Sequence, residues 1–355
     1  MRREHRGHLY VGIALVSAAT MMLELALTRL FAVAEWYHFA FLSVSVALLG
    51  YGSSGTILSL LPQRLRTRLP SLLAIAFPLS ILGSYLIVNT VPFDSYQLAL
   101  DRRQVVYLVI YYLSLVVPFA VSGLIVSLYL SLMPARSSPL YAANLMGSAL
   151  GSATLLVTLS MLGAERTIIA ATALAAIGGA SILGSTPRPL HRRVMWAAMA
   201  LVAACSVLAW SSPRWMTLRL SLYKTLSYAL QASDAHLAYQ RWNAYSRIDV
   251  VESPRLHSAP GLSLEYGGTL PPQHGLTVDG ANLSPISRRT RPGDVSFLGY
   301  LPSSLPYKLR PQASALILRP RGGMDVAVAL HHQASRVVAV EDNALIVSLL
   351  SDKYA

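Results

Sequence analysis

Four residues near the end of the 355-residue chain have the types and the spacing to hold a polar small molecule. Gly322 and Gly323 follow the run "SALILR" and open "MDVAVALHH", Asp325 stands just inside that second segment, and Glu341 closes "RVVAVE". A strand that ends at a Gly-rich turn and passes into a helix aims backbone N–H groups and the helix N-terminus at an anionic or strongly polar group. An acid about 20 residues further on, at the end of the next strand, is placed to accept hydrogen bonds from ribose hydroxyls. Glu341 stands 19 residues after Gly322. A Gly pair alone fits an ordinary strand-to-helix turn equally well; the acid at this spacing is what points to a ligand.

A second group, Glu24, Arg29, Glu35 and His38, lies within or at the edge of the first two long apolar segments. A charge in hydrocarbon is costly enough to demand a partner or water, so these residues read as a polar pathway or ligand site, or as an internal ion pair joining two helices. The pairing is the weightier reading, because buried charges commonly pair. Glu24 and Arg29 are five residues apart, which turns them to different sides of one helix. Other chemistries lack their signatures: the nine histidines show no metal-ligand spacing, neighbours His331 and His332 would point apart on a helix, and there is no P-loop or nucleophile elbow. No metal is expected.

The elements that must position these residues follow from composition and pattern. The chain is 54% hydrophobic and 13% charged, too apolar for a purely soluble fold, so it is expected to be a membrane protein with the lipid bilayer as its first partner. Lys plus Arg outnumber Asp plus Glu by 29 to 16, but the excess is scattered through short loops without interleaved aromatics, which argues against nucleic acid and for orientation in a bilayer. The single cysteine, Cys205, excludes an intrachain disulfide. "MRREHRGH" and the apolar run after it read as an uncleaved first helix, since the run outlasts a signal peptide and contains Glu24 and Arg29.

Seven apolar segments approach the roughly 20 residues needed to cross a bilayer, near 9–34, 36–61, 69–91, 105–133, 139–162, 167–184 and 194–210. Residues 1–212 are thus expected to be a polytopic helical bundle and 213–240 an interfacial amphipathic linker. A small β-rich domain is expected over 241–310, with "RIDVVE", "LSLEY" and "GLTVDG" as strands, and the first half of a Rossmann-like α/β unit over 311–355. Ala143, Gly147 and Gly151, and Gly50, Gly52 and Gly55, have spacings that let helices approach closely. A cytoplasmic N-terminus would gather Arg2, Arg3, Arg6, Arg64, Arg66, Arg68, Arg136, Arg188, Arg192 and Arg193 inside and leave Arg102, Arg103 and Arg166 outside. Seven crossings would then deliver the chain to the outer face, in conflict with a cytosolic nucleoside ligand.

Taken together, "LELALTRLFAV", "WYHFAFLSVSVALLGYGSSG", "LYAANLMGSALGS", "WNAYSRIDVVE", "LTVDG", "LILRPRGGMDVAVAL" and "RVVAVEDNALIV" resemble the bacterial membrane-anchored spermidine synthase-like proteins, across nearly the whole chain. The resemblance implies a Rossmann-like fold that binds S-adenosylmethionine or its decarboxylated form and transfers an aminopropyl group to a diamine, in the bacterial inner membrane. By position, Gly322, Gly323 and Asp325 look like the cofactor turn and Glu341 like the acid that holds the ribose. Arg319 and Arg321 stand where relatives have glycine, and Phe297, Leu298 and Gly299 stand where soluble spermidine synthases have Tyr-His-Glu. The family's later strand, with the aspartate that would act as base, would follow Ala355, so the chain reads as C-terminally truncated and its transferase activity as impaired. The other reading is a non-catalytic polytopic membrane protein, a transporter-like or sensing module.

Overall fold

In the computed structural model the described residues are 3–35, 37–62, 64, 69–184, 189–211, 213–287 and 292–354. The chain divides into two compact units, Met1–Arg219 and Leu220–Ala355.

Among the described residues of the first unit, six helices are long and apolar enough to cross a membrane. They are α1 (Arg3–Ala34), α2 (Tyr37–Leu60), α3 (Leu69–Thr90), α4 (Arg102–Leu132), α5 (Ser137–Gly184) and α6 (Pro189–Ser211). The 48 residues of α5 would extend roughly 70 Å as one rod, more than twice the hydrocarbon thickness. Gly163 breaks the rod with φ 80° and ψ 172°, a left-handed backbone that glycine adopts without steric cost.

The packing partners on either side of Gly163 show that the chain reverses there. Gly147 lies against Ala14 and Gly151 against Ala18, so the first leg of α5 runs parallel to α1. Gly178 lies against Val16 and Gly12 against Ile182, so the second leg runs antiparallel to it. The segments expected at 139–162 and 167–184 are these two legs. The first leg packs closely because a Cβ at Gly147 or Gly151 would strike the α1 backbone, and the second because a Cβ at Gly12 would strike the backbone of Gly178 and Ile182. Gly50 plays the same part against Val116 and Phe119 of α4, whereas Gly52 and Gly55 face open space. For those two the spacing rule failed, because it cannot tell which side of a helix has a neighbour. Pro78 and Pro118 are buried inside α3 and α4 without ending them.

The second unit contains a helical turn, α7 (Thr225–Ala229), and a four-stranded antiparallel sheet in the order β1-β2-β3-β4: β1 (His236–Trp242), β2 (Arg247–Glu252), β3 (Gln273–Val278) and β4 (Ala281–Ser287). Within residues 213–240, read as an amphipathic linker, α7 has five residues and β1 begins at His236. "LSLEY" is not a strand but a run of turns closed by bonds such as Ser263 N–H to the Tyr300 carbonyl. β3 and β4 are joined by Asp279 and Gly280, both with positive φ, as a two-residue hairpin requires.

After α8 (Leu305–Leu309) come β5 (Ser314–Leu318), α9 (Met324–His331), β6 (Arg336–Val340) and α10 (Ala344–Asp352), with β5 and β6 paired in parallel from Ser314↔Arg336 to Leu318↔Val340. Helix α10 covers one face of the antiparallel sheet, burying Ile346 and Leu349 among Ile248, Val250, Leu276 and Ile286. The β5–β6 pair is far less covered: Leu316 is 65% exposed and Leu318 68%. A parallel sheet normally has both faces buried.

Candidate functional site

Strand β5 delivers the chain into a turn, Arg319 to Gly323, whose backbone is left-handed at alternate residues: Arg319 at φ 55°, Arg321 at φ 52° and Gly323 at φ 88°. The two arginines therefore occupy conformations suited to glycine, the residue expected at their positions from the resemblance. Each is held by an acid after β6. Arg319 Nη2 lies 2.8 Å from Asp342 Oδ2, and Arg321 Nη1 lies 3.5 Å from Glu341 Oε1. The Arg321 N–H donates to Glu341 Oε2 at 3.2 Å, and the Asn343 N–H to Glu341 Oε1 at 3.1 Å. Asp342 is exposed, and its carboxyl is held below the ordinary carboxylate value, first by hydrogen bonding with Glu341 and then by the charge of Arg319.

The acidic corner is itself tied to the antiparallel sheet. Asn343 caps α10 through Leu345 N–H and donates from Nδ2 to Ser246 Oγ at 2.8 Å. Asn243 Nδ2 donates to Asn343 Oδ1 at 2.9 Å, and the Tyr245 hydroxyl donates to the Asp342 carbonyl at 2.7 Å. Thus "NAYS", the β1–β2 turn, fixes "EDN", the end of β6. Gly322 is fixed from the other side: its N–H donates to Ser284 Oγ at 3.0 Å, and a Cβ there would strike the Pro285 carbonyl of β4. Its smallness serves this packing.

These elements enclose a cleft of about 510 Å³. Gly322, Gly323 and Glu341 line it together, and Phe297, Leu298 and Met324 contribute to its apolar wall. Gly323 leaves open space where a Cβ would be. Asp325, the third turn residue implied by the resemblance, is exposed on the first turn of α9 and does not line the cleft. It lies in electrostatic reach of Tyr307, whose hydroxyl is pushed up from its ordinary value by desolvation and then by Asp325. Phe297 and Leu298 are buried. Asn243, Ser246, Ser284 and Asn343 were missed as positioning residues. The Asn343 cap was legible in "EDNAL", since Asn before an apolar run is a helix N-cap signal.

Of the intramembrane group, Glu24, Arg29 and Glu35 are half-buried, and the His38 side chain lies outside the described residues. Among the described residues Glu24 and Arg29 form no ion pair with each other. Glu35 lies in electrostatic reach of Tyr111. Among the described residues no group of three or more His, Cys, Asp or Glu is arranged to hold a metal ion.

In comparisons with family models, curated proteins and solved structures, nothing matches this chain.

Proposed function

We propose that the C-terminal unit binds an adenosyl compound, S-adenosylmethionine or its decarboxylated form, in a membrane-anchored protein of spermidine synthase-like, Rossmann-like design. The observation that carries this reading is the lining of the cleft: a Gly turn and one acid, with no Lys, Arg or His among its described residues. A phosphate-bearing nucleotide would need cationic side chains or several free N–H groups. An adenosyl sulfonium carries no phosphate and a positive charge, so an apolar cleft with a carboxylate at its edge suits it. Glu341 would accept hydrogen bonds from the ribose hydroxyls after yielding one from Arg321, and Phe297, Leu298 and Met324 would border the base.

Aminopropyl transfer to a diamine requires the amine nitrogen to attack the carbon beside the sulfonium. The C–S bond breaks, methylthioadenosine leaves, and the amine gives up a proton. A carboxylate in reach is the natural acceptor. Glu341 is the only carboxylate among the described lining residues, and Arg321 and Asn343 already engage it. This chain therefore supports binding, with the transferase activity of the proposed family impaired.

Calorimetric titration of the detergent-purified chain with each adenosyl compound, beside a Glu341→Ala control, tests the reading. Saturable binding lost in the control supports it. Absence of binding by both compounds overturns it.

A specific observation favours the other reading, a non-catalytic polytopic module. α1 and the first leg of α5 run parallel and the second leg runs back, while Leu183 and Val194 pack together where α5 gives way to α6. The helical unit thus starts at one end and finishes at the other. With the N-terminus cytoplasmic in a bacterial inner membrane, as the arginines of the first loops favour, the chain leaves α6 on the face opposite the cytosolic adenosyl pool. Labelling of single introduced cysteines at residues 7 and 219 with an impermeant maleimide in intact and lysed cells, in a Cys205→Ser background, separates the two readings. Both sites protected in intact cells favours the adenosyl site, and exposure of the second site alone favours the non-catalytic module.

A further inference from the structure

The helical unit holds an ionisable group that the cleft does not use. Ser17, Thr20, Glu24 and Thr28 recur at steps of three and four, so a single face of α1 carries all four. Three of them meet hydroxyl or amide partners on neighbouring helices. Ser17 Oγ donates to Asn144 Oδ1 of α5 at 2.7 Å, Thr20 pairs with Ser122 of α4 at 2.6 Å, and Thr28 pairs with Ser43 of α2 at 2.6 Å. The Tyr51 hydroxyl of α2 lies 3.3 Å from the same Ser122. Glu24 falls between Thr20 and Thr28 on this seam, half-buried and in electrostatic reach of Tyr51.

Glu24 has no hydrogen-bond or ionic partner for its carboxyl among the described residues. The facing helices offer no countercharge. α2 from Phe39 to Leu60, α4 from Gln104 to Leu132 and α5 from Ser137 to Ala164 contain no Asp, Glu, Lys, Arg or His. Their titratable groups are tyrosines, of which Tyr51 faces the seam. On α1 itself Arg29 is turned away by five residues, and His38, at the start of α2, lies outside the described side chains.

We infer that Glu24 is a proton-binding site of the helical unit, its carboxyl taking up and giving back one proton within the α1–α2–α4 seam. A lone carboxylate in a bilayer interior must acquire a positive charge from somewhere. A metal cation would need several oxygen ligands at once, but the seam hydroxyls are engaged with each other and with their own helices: Thr20 donates to the Val16 carbonyl and accepts from Ser122, and Thr28 donates to the Glu24 carbonyl and accepts from Ser43. A proton needs only the carboxyl.

The test is reaction of the full chain, in lipid nanodiscs, with dicyclohexylcarbodiimide, a lipophilic reagent that modifies protonated carboxyls, followed by peptide mass spectrometry. The expected result is an adduct on Glu24 that declines as pH is raised and is absent at that position in Glu24→Gln. Sodium and methylammonium should leave its yield unchanged. Absence of an adduct on wild-type Glu24 at every pH overturns the proposal, and so does protection by sodium or methylammonium, which would assign the seat to a different cation. The assay reads a residue of the helical unit, so its outcome is independent of adenosyl binding.

Discussion

The two units each bury paired polar side chains, and Thr20 with Ser122 in the first differs in charge from Arg247 with Asp249 in the second. Between the helices of the first unit lie neutral hydroxyl pairs, such as Thr20 with Ser122 and Thr28 with Ser43. The C-terminal unit buries an ionic contact beside its neutral amide and hydroxyl ones: Arg247 Nε lies 2.8 Å from Asp249 Oδ2, with side chains 3% and 0% exposed. Hydroxyls can satisfy their own helix carbonyls and still reach across, so close packing of helices costs them little. On β2, an interior strand of the sheet, a guanidinium and a carboxylate are buried together, and each then becomes indispensable to the other. The difference predicts where substitutions will hurt.

The largest effect is expected at the buried ion pair. Asp249→Asn leaves Arg247 buried without its carboxylate, although Arg247 also lies over the Trp242 ring, and should destabilise the C-terminal unit by about 3–5 kcal/mol. Replacing the pair together, Arg247→Met with Asp249→Leu, should recover most of that loss, as read by denaturant unfolding followed by near-ultraviolet circular dichroism. A single variant that unfolds like wild type would erase the contrast between the units. pH gives a second view. Burial, only partly offset by Arg247, pushes the Asp249 carboxyl above its ordinary 3.8. The folded state therefore binds this proton more readily than the unfolded chain, and Asp249's contribution to stability falls as pH rises from about 3.8 through the folded value.

Next in size are the glycines that admit a neighbour's backbone, present in both units. Gly322→Ala should cost about 1–3 kcal/mol because its Cβ meets the Pro285 carbonyl. Gly151→Ala should cost a similar amount against Ala18, while Gly52→Ala, facing open space, should stay within about 0.5 kcal/mol of wild type or gain helix propensity. Thermal unfolding midpoints in one detergent would rank the three, and a large loss at Gly52 would contradict the helix arrangement.

A smaller change in stability with a larger change in binding is expected from Arg321→Gly. The left-handed φ of 52° strains a non-glycine residue by about 1 kcal/mol or more, whereas its part-exposed ion pair with Glu341 contributes about 1 kcal/mol or less. The two nearly offset, so stability should move by less than about 1 kcal/mol. The Glu341 carboxylate is then released from the guanidinium, and affinity for the adenosyl compound should rise in calorimetry. Weaker binding would mean that Arg321 itself contacts the ligand.

Much of this architecture was legible in the sequence because membrane helices and strand-turn-helix units rest on local patterns. The apolar runs located the helices to within a few residues at most ends, and the "GG" and Glu341 spacing located two sides of one cleft. What escaped was set by non-local geometry. "TLRLSLYKTLSYAL" has helical spacing, and within it Thr225–Ala229 are α-helical. Asp325 was carried over to the cofactor turn by position from the resemblance, and it stands exposed on the first turn of α9. The left-handed arginines were flagged as departures from a glycine pattern. That they keep the glycine-like backbone depends on Asp342 and Glu341, contacts between strands that no local window contains.

The smallest predicted effect tests the neutral half of the contrast. Thr20→Val keeps the shape of the side chain and removes the hydroxyl that pairs with Ser122 and donates to the Val16 carbonyl. Hydrogen bonds between membrane helices average about 0.6 kcal/mol in double-mutant cycles, because the partner left behind finds another acceptor. Ser122 has one in Tyr51, 3.3 Å away. A cycle of Thr20→Val and Ser122→Ala should therefore give a coupling near 0.6 kcal/mol, several-fold below the Arg247–Asp249 coupling in the other unit. A coupling as large as that of the ion pair would mean that the seam is a rigid polar network, in which neutral hydroxyls hold one another as firmly as Arg247 holds Asp249.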